Sequence, residues 1–184
     1  MPLTTHNFAG LVLLSNPQYT QDGEFLQSVI AIIQHQPDRG SMGLMLNRPL
    51  RLTLNDFDEQ QWEGFDSVPV FKGGPVEQKR LIVTAVEWGP KSHFLKWYLG
   101  LQTQQISHLL SKKNALALRA YCGYVGWAQG QLEEEMQKKF WLPVPMHPKE
   151  VFASKNTQLW HKLMFLFHPT NILFNQLSIN PSMN

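Results

Sequence analysis

The chain has one cysteine, Cys122, in 184 residues. No intramolecular disulfide can form, so a reducing compartment is the natural setting. A thiolate-rich zinc site is excluded for the same reason. The seven histidines (His6, His35, His93, His108, His147, His161 and His168) are scattered, with no i, i+4 pair. Neither a metal nor any other cofactor is expected. Charge is also scarce. Asp, Glu, Lys and Arg make up 16% of the chain, against about 25% in ordinary domains. The net charge of +2 is too small to imply an electrostatic partner. No basic helix, basic arm or helix-turn-helix with a cationic second helix can be read, so direct DNA binding is not expected. No apolar run approaches the roughly 18 residues of a membrane span. Leu163–Phe167 comes nearest and stops at His168-Pro169. The stretch Met1–His6 lacks the basic and apolar regions of a signal peptide. A cytoplasmic protein with no membrane partner is the expectation.

The chain is long enough to bury a sizeable core, and its length fits one domain over residues 1–184 with a frayed tail at 175–184. Gly10–Leu14 reads as a buried strand ended by Ser15-Asn16-Pro17. Ser28–Ile33 reads as a second. Gln34–Gly40 then reads as a turn, and Gly43–Asn47 as the returning strand of a hairpin, closed by Arg48-Pro49. Leu52–Phe57 reads as a short helix capped by Thr53 or Asn55. Val68–Lys72 is an edge-like strand, Gly73–Val76 a turn, and Leu81–Val86 a strand. His93–Leu99 is a further strand. Thr103 is the expected cap of a helix over Gln104–Lys112, with Ile106, Leu109 and Leu110 on one face. Ala115–Tyr124 is a strand, with Arg119 facing away from Leu116, Leu118 and Ala120. Gln129–Lys139 is a helix, acidic early and basic late. Phe140–Pro145 is extended. Pro148–Phe152 and Thr157–Phe167 are helices. Strands lead and helices interrupt and follow, an α+β pattern rather than regular βαβ alternation.

The most informative stretch is Gly123–Glu135, which sets three glycines and two aromatics before an acidic helix start. A helix N-terminus after glycines can hold an anion, but Glu133, Glu134 and Glu135 in its first turns oppose one. Neither phosphate-loop pattern is present. Gly73-Gly74-Pro75 reads as a tight turn needing positive φ. His35 could act as a general base near neutral pH, or could simply bond the turn backbone. No nucleophile elbow and no Ser/His/Asp grouping is recognisable. Cys122 reads as a small buried residue beside Tyr121, and most of the six tryptophans as core. Lys112-Lys113 and Lys138-Lys139 read as solvated helix ends.

Taken in order, Phe8–Pro17, Phe25, Ser28-Val29, His35, Gly40, Gly43, Asn47, Pro49, Gly73-Gly74-Pro75-Val76, the Gly123–Glu135 motif, Trp141-Leu142, Phe152 and Trp160 form a set. In order and spacing this set resembles the AlgH/YqgE family of bacterial proteins, across nearly the whole chain. The resemblance implies one compact α+β domain of strongly bent, branching, mostly antiparallel β-sheets with flanking helices. It implies no established activity; some members carry a transcriptional-regulator label. Two positions depart from the family pattern. Gln34 stands where Glu commonly precedes the histidine, which removes an acid–histidine pair. Lys138-Lys139-Phe140 stands where a small or polar residue more usually precedes the tryptophan.

The expected function is therefore a non-enzymatic binding or regulatory protein, a monomer or weak homodimer with an unknown protein or small-molecule partner. The alternative is a small-ligand binder or enzyme with a cleft around His35, Asn47 and the 126–135 turn. The candidate cluster is His35, Asn47, Gly74, Tyr124, Trp127, Gln131 and Glu135, with no residue assigned as catalytic or as cofactor- or metal-binding. A third reading makes these residues fold determinants alone. A separation above roughly 10 Å from His35 to Glu133 or Glu135 would exclude direct proton transfer.

Overall fold

The computed structural model describes residues 7–19, 23–88, 95–111, 115–146, 148–152 and 158–169. The first strands are β1 (Val12–Ser15), β2 (Val29–Gln36), β3 (Gly40–Met45), β4 (Pro49–Thr53) and β5 (Pro69–Lys72). Next come β6 (Val76–Trp88), β7 (Leu95–Leu99), helix α1 (Thr103–Leu110) and β8 (Ala115–Trp127). The chain continues through α2 (Gln131–Gln137), β9 (Trp141–Val144), α3 (Pro148–Phe152) and α4 (Leu159–Phe167). The fold is α+β, and every strand pair in the two units below is antiparallel except β5–β8. Contacts group the chain into two compact units. One comprises 1–47, 126–146 and 156–184; the other comprises 48–125 and 147–155.

In the first unit the strands run in the order β3-β2-β1-β9. Central β1 is buried at all four positions, which explains its unbroken apolar sequence. Leu13 faces Ile30 on one side and Pro143 on the other. The apolar stripe of α4, Leu159, Trp160, Leu163 and Met164, is buried, and the Trp160 indole donates to the Ser15 carbonyl at 3.0 Å. At about 1.5–3 kcal/mol per buried large apolar side chain, such residues dominate the unit's stability. The 28–47 hairpin forms as expected, but β2 runs on through Gln36, so His35 lies on a strand and not in a turn. A bulge at Ile33 resets the alternation there. As a result Gln34 is exposed and His35 faces inward.

In the second unit the order is β4-β5-β8-β6-β7. One face packs Val70, Val83, Ala85 and Ala120 against Ile106 and Leu109 of α1. Alternation puts Phe71, Thr84, Arg119 and Tyr121 on the opposite face. Several expectations are corrected here. Pro49 opens an edge strand rather than closing one, a position that needs no ladder donor. β5 is interior, between β4 and β8. The expected 52–57 helix is a 3-10 turn over Leu54–Asp56, capped by Thr53. Gln102, not Thr103, precedes α1, and its N–H donates to the Gln105 side chain at 2.9 Å. Beyond that turn, α2 is shorter than read from the sequence, and Lys138 follows it. His93, Lys112, Lys113, Thr157 and the 175–184 tail lie outside the described residues.

Candidate functional site

Two of the predicted residues, Trp127 and Gln131, converge on the carboxylate of a third, Glu135, in the first unit. Glu135 Oε2 accepts from the Trp127 indole at 2.8 Å and from the Trp141 indole at 2.6 Å. Its Oε1 accepts from the Gln131 amide at 2.8 Å. Gln131 in turn accepts from the Ala128 N–H at 2.9 Å, which closes the corner before α2. Trp127 and Trp141 stack edge to face with centroids 6.0 Å apart. Gly130 supplies the left-handed backbone, φ 75°, that starts α2. The strand-to-helix corner is thus fixed by three side-chain donors on one acid.

His35 is reached from the first turn of the same helix. Its Nε2 lies 3.6 Å from Glu133 Oε1, well inside the distance that would have excluded proton transfer. The His35 side chain is 1% exposed. Nδ1 pairs with the Ser41 hydroxyl across the hairpin at 2.8 Å, and the ring meets Phe8 edge-on at 4.9 Å. Nε2 is buried and makes no hydrogen bond. The neighbouring Gly40 is required sterically, because a Cβ there would stand 2.2 Å from the Trp127 carbonyl oxygen.

Asn47 is not part of this group. It is fully buried at the open end of the hairpin. There it accepts from the Val29 N–H at 3.0 Å and donates to the Gln27 carbonyl at 2.8 Å. The six residues of strand from Val29 to His35 put it about 20 Å away at 3.3 Å per residue. A single cleft holding both is not formed. Gly74 and Tyr124 belong to the second unit. A Cβ on Gly74 would stand 2.2 Å from the Tyr124 carbonyl group, and one on Gly73 would stand 2.1 Å from the Gly123 carbonyl oxygen. Close backbone approach therefore decides these two glycines, more than the positive φ expected of a turn. Cys122 is half-buried rather than buried, and burial pushes its thiol above the ordinary value. It is a poor thiolate source at neutral pH.

A second polar cluster was not legible in the sequence. Arg119, read as facing away from its apolar neighbours, does leave their face, but it is 4% exposed. Its guanidinium lies 4.6 Å from the Phe71 ring centroid and 5.0 Å from that of Phe152. It donates to the Val151 and Phe152 carbonyls at 3.4 and 3.2 Å, at the end of α3. Phe152 also stacks on Trp88 and meets Trp97 edge-on. The available signal was a single Arg inside the apolar run Ala115–Tyr121. A cavity of about 400 Å³ opens beside this cluster. Among the described residues no group of three or more His, Cys, Asp or Glu could hold a metal ion. No described helix is long and apolar enough to cross a membrane.

A profile of the AlgH-like family matches residues 12–170. A UPF0301 protein of Stutzerimonas stutzeri is 33% identical over 155 residues, covering 79% of this chain and 81% of that protein. A UPF0301 protein of Streptomyces avermitilis is 30% identical, covering 86% of each. In structure, the chain is similar to the AlgH protein from Pseudomonas aeruginosa, with TM-score 0.65, 21% identity and coverage of 95% and 96%. It is also similar to a crystal structure of a Corynebacterium diphtheriae protein, with TM-score 0.70, 21% identity and coverage of 92% of each. At that identity the two structures speak to the fold alone. The chain belongs to the AlgH-like family.

Proposed function

We propose that the chain is a non-enzymatic, cytoplasmic binding or regulatory protein of one domain, whose partner is a small molecule or another protein. The observation that carries this reading is the state of the predicted cluster. The Glu135 carboxylate already takes three donors. The Asn47 amide already bridges two backbone groups. Residues whose polar atoms are spent on their own fold have little left for a substrate, and such networks commonly specify a unique structure. A thermal-shift screen of the full chain against nucleotides and common metabolites tests it, because a ligand of the native state raises the melting temperature. A rise of several degrees with no turnover of the ligand supports the reading. Turnover of any hit sinks it.

One observation favours the alternative, an enzyme working at His35. Ser41, His35 and Glu133 lie in line, at 2.8 and 3.6 Å, and a histidine between a hydroxyl and a carboxylate can relay a proton. Under that reading, Ser41→Ala and Glu133→Gln each abolish turnover of a hit while His35→Ala does the same. Under the binding reading all three leave its affinity in place.

A further inference from the structure

The cavity in the second unit is lined by Pro69, Trp88, Leu118 and Phe152, with Arg119 and Lys149 as its charged members. Its volume, about 400 Å³, falls in the range of small-molecule sites, roughly 300–1,000 Å³. The bonds from Arg119 to the Val151 and Phe152 carbonyls explain why a guanidinium is buried there. They do not explain the open apolar space, and they do not explain Lys149. Lys149 is exposed and makes no ion pair among the described residues. Neither do they explain a buried donor beside the same rings. The Trp97 indole N–H is buried and makes no hydrogen bond. Trp97 meets Phe152 at 5.6 Å, and Tyr121 meets Phe71 at 5.8 Å, the two rings that flank Arg119. No carboxylate is among the described residues that line the cavity. Glu87 lies on the opposite sheet face by alternation and accepts from Tyr98 at 2.7 Å. Glu150, next to Lys149, is not in the lining, although its Oε2 is buried.

We propose that this cavity binds a small amphipathic anion, a flat apolar body carrying one carboxylate. This rests on the reading of the chain as a binding protein and names its ligand class. The body lies against Pro69, Trp88 and Phe152. The carboxylate pairs with the Lys149 ammonium, and Arg119 keeps its bonds to α3 while supplying a fixed positive charge in low-dielectric surroundings. Burying an apolar body gives affinity, and the two cations select the sign of the head group.

The test uses the full chain and three probes of one shape: 2-naphthoate, 2-naphthylmethylammonium and 2-naphthalenemethanol. Binding is read by isothermal titration and by the indole proton signals of the six tryptophans. We expect 2-naphthoate to bind and to move the Trp88 signal, with the ammonium probe at least tenfold weaker. Lys149→Glu should weaken 2-naphthoate at least tenfold, whereas Lys79→Glu, an exposed charge change in the same unit, should alter it less than twofold. Arg119→Lys keeps a cation if the fold tolerates it; Lys149→Glu stays decisive if it does not. Equal binding of the three probes, an unchanged affinity in Lys149→Glu, or no binding of 2-naphthoate overturns the proposal. A different metabolite that raises the melting temperature equally in wild type and Lys149→Glu overturns this site alone and leaves the binding-protein reading standing.

Discussion

Each unit buries one polar cluster among aromatic rings, and the two are balanced in opposite ways. In the first, the acid is the hub. Glu135 collects two indole N–H groups and an amide, all at 2.6–2.8 Å, so acceptors and donors are matched. In the second, the base is the hub. Arg119 sits against Phe71 and Phe152 and reaches the α3 carbonyls by long bonds of 3.2–3.4 Å, while the neighbouring Trp97 indole donor stays unmatched. Matched networks rigidify, because their groups gain from the low dielectric that would penalise them alone. Unmatched ones leave a demand that a ligand can meet. The difference separates a corner that makes the fold from a cavity with capacity to bind.

The sharpest way to break this comparison is Glu135→Ala. It removes the acceptor of both indoles and the Gln131 amide at once, leaving donors without partners. The expected loss is about 3 kcal/mol, since each orphaned buried donor costs roughly 1–3 kcal/mol. Urea unfolding measures it, and Glu135→Gln should lose less because one oxygen acceptor remains. A loss below about 0.5 kcal/mol, the usual range for plain surface changes, would mean that the corner is held by packing alone and that Glu135 is no hub.

Asn47→Ala comes next. It removes one acceptor and two donors from a fully buried position, and it frees the Val29 N–H and the Gln27 carbonyl. About 2 kcal/mol should be lost in the same titration. Because Asn47 stands apart from Glu135, the losses in Asn47→Ala/Glu135→Ala should add to within about 0.5 kcal/mol. Strong non-additivity would join the open end of the hairpin to the corner, contrary to the distance along β2.

What was legible follows the same division. Local chemistry was readable where a short range decides it. The buried run of β1, the hairpin between Val29 and Asn47, the acidic start of α2 and the strand through Leu81–Val86 all follow from periodicity and turn residues. The ordered glycine, tryptophan and acid motif carried the family. Long-range pairing was less readable. Whether Pro69 opens an edge or an interior strand depends on β4 and β8, which approach it from distant sequence. A one-residue bulge at Ile33 decides which of Gln34 and His35 is buried, and nothing in the Val-Ile-Ala-Ile-Ile run announces it. Of the candidate site, the structure brings Trp127, Gln131 and Glu135 together, all from one motif. Asn47 was placed with His35 by order in sequence, although the strand between them carries them apart. Arg119 was set aside because alternation says which face a residue takes but not whether that face is covered.

His35→Ala gives a smaller effect and divides the two units functionally. The loss should be about 1 kcal/mol, from the Ser41 bond and the contact with Phe8. The folded variant should bind 2-naphthoate as wild type does. A tenfold drop in affinity, with the native signals retained, would tie His35 to the cavity and end the separation of fold-making from binding cluster.

The smallest effect is expected at a polar site outside both clusters. Asp56 accepts from the Thr53 N–H at 2.7 Å and from the Thr53 hydroxyl at 3.0 Å, in a fully exposed setting. Both bonds favour the ionised form, the backbone one most, and hold its carboxyl below the ordinary value of 3.8. A carboxyl whose folded pKa is lowered contributes stability above its unfolded pKa and loses it as pH falls through the folded one. Asp56→Asn should therefore be slightly less stable than wild type at neutral pH, and the gap should close on acidification below 3.8. Added salt should change the gap little, because hydrogen bonds to Thr53 rather than a charged partner produce it. A gap that widens in acid would reverse the sign and show that the carboxylate is a burden to the 3-10 turn. Exposure alone keeps this cap weak, where the same kind of bonds to Glu135, half-buried between two indoles, set the stability of a corner.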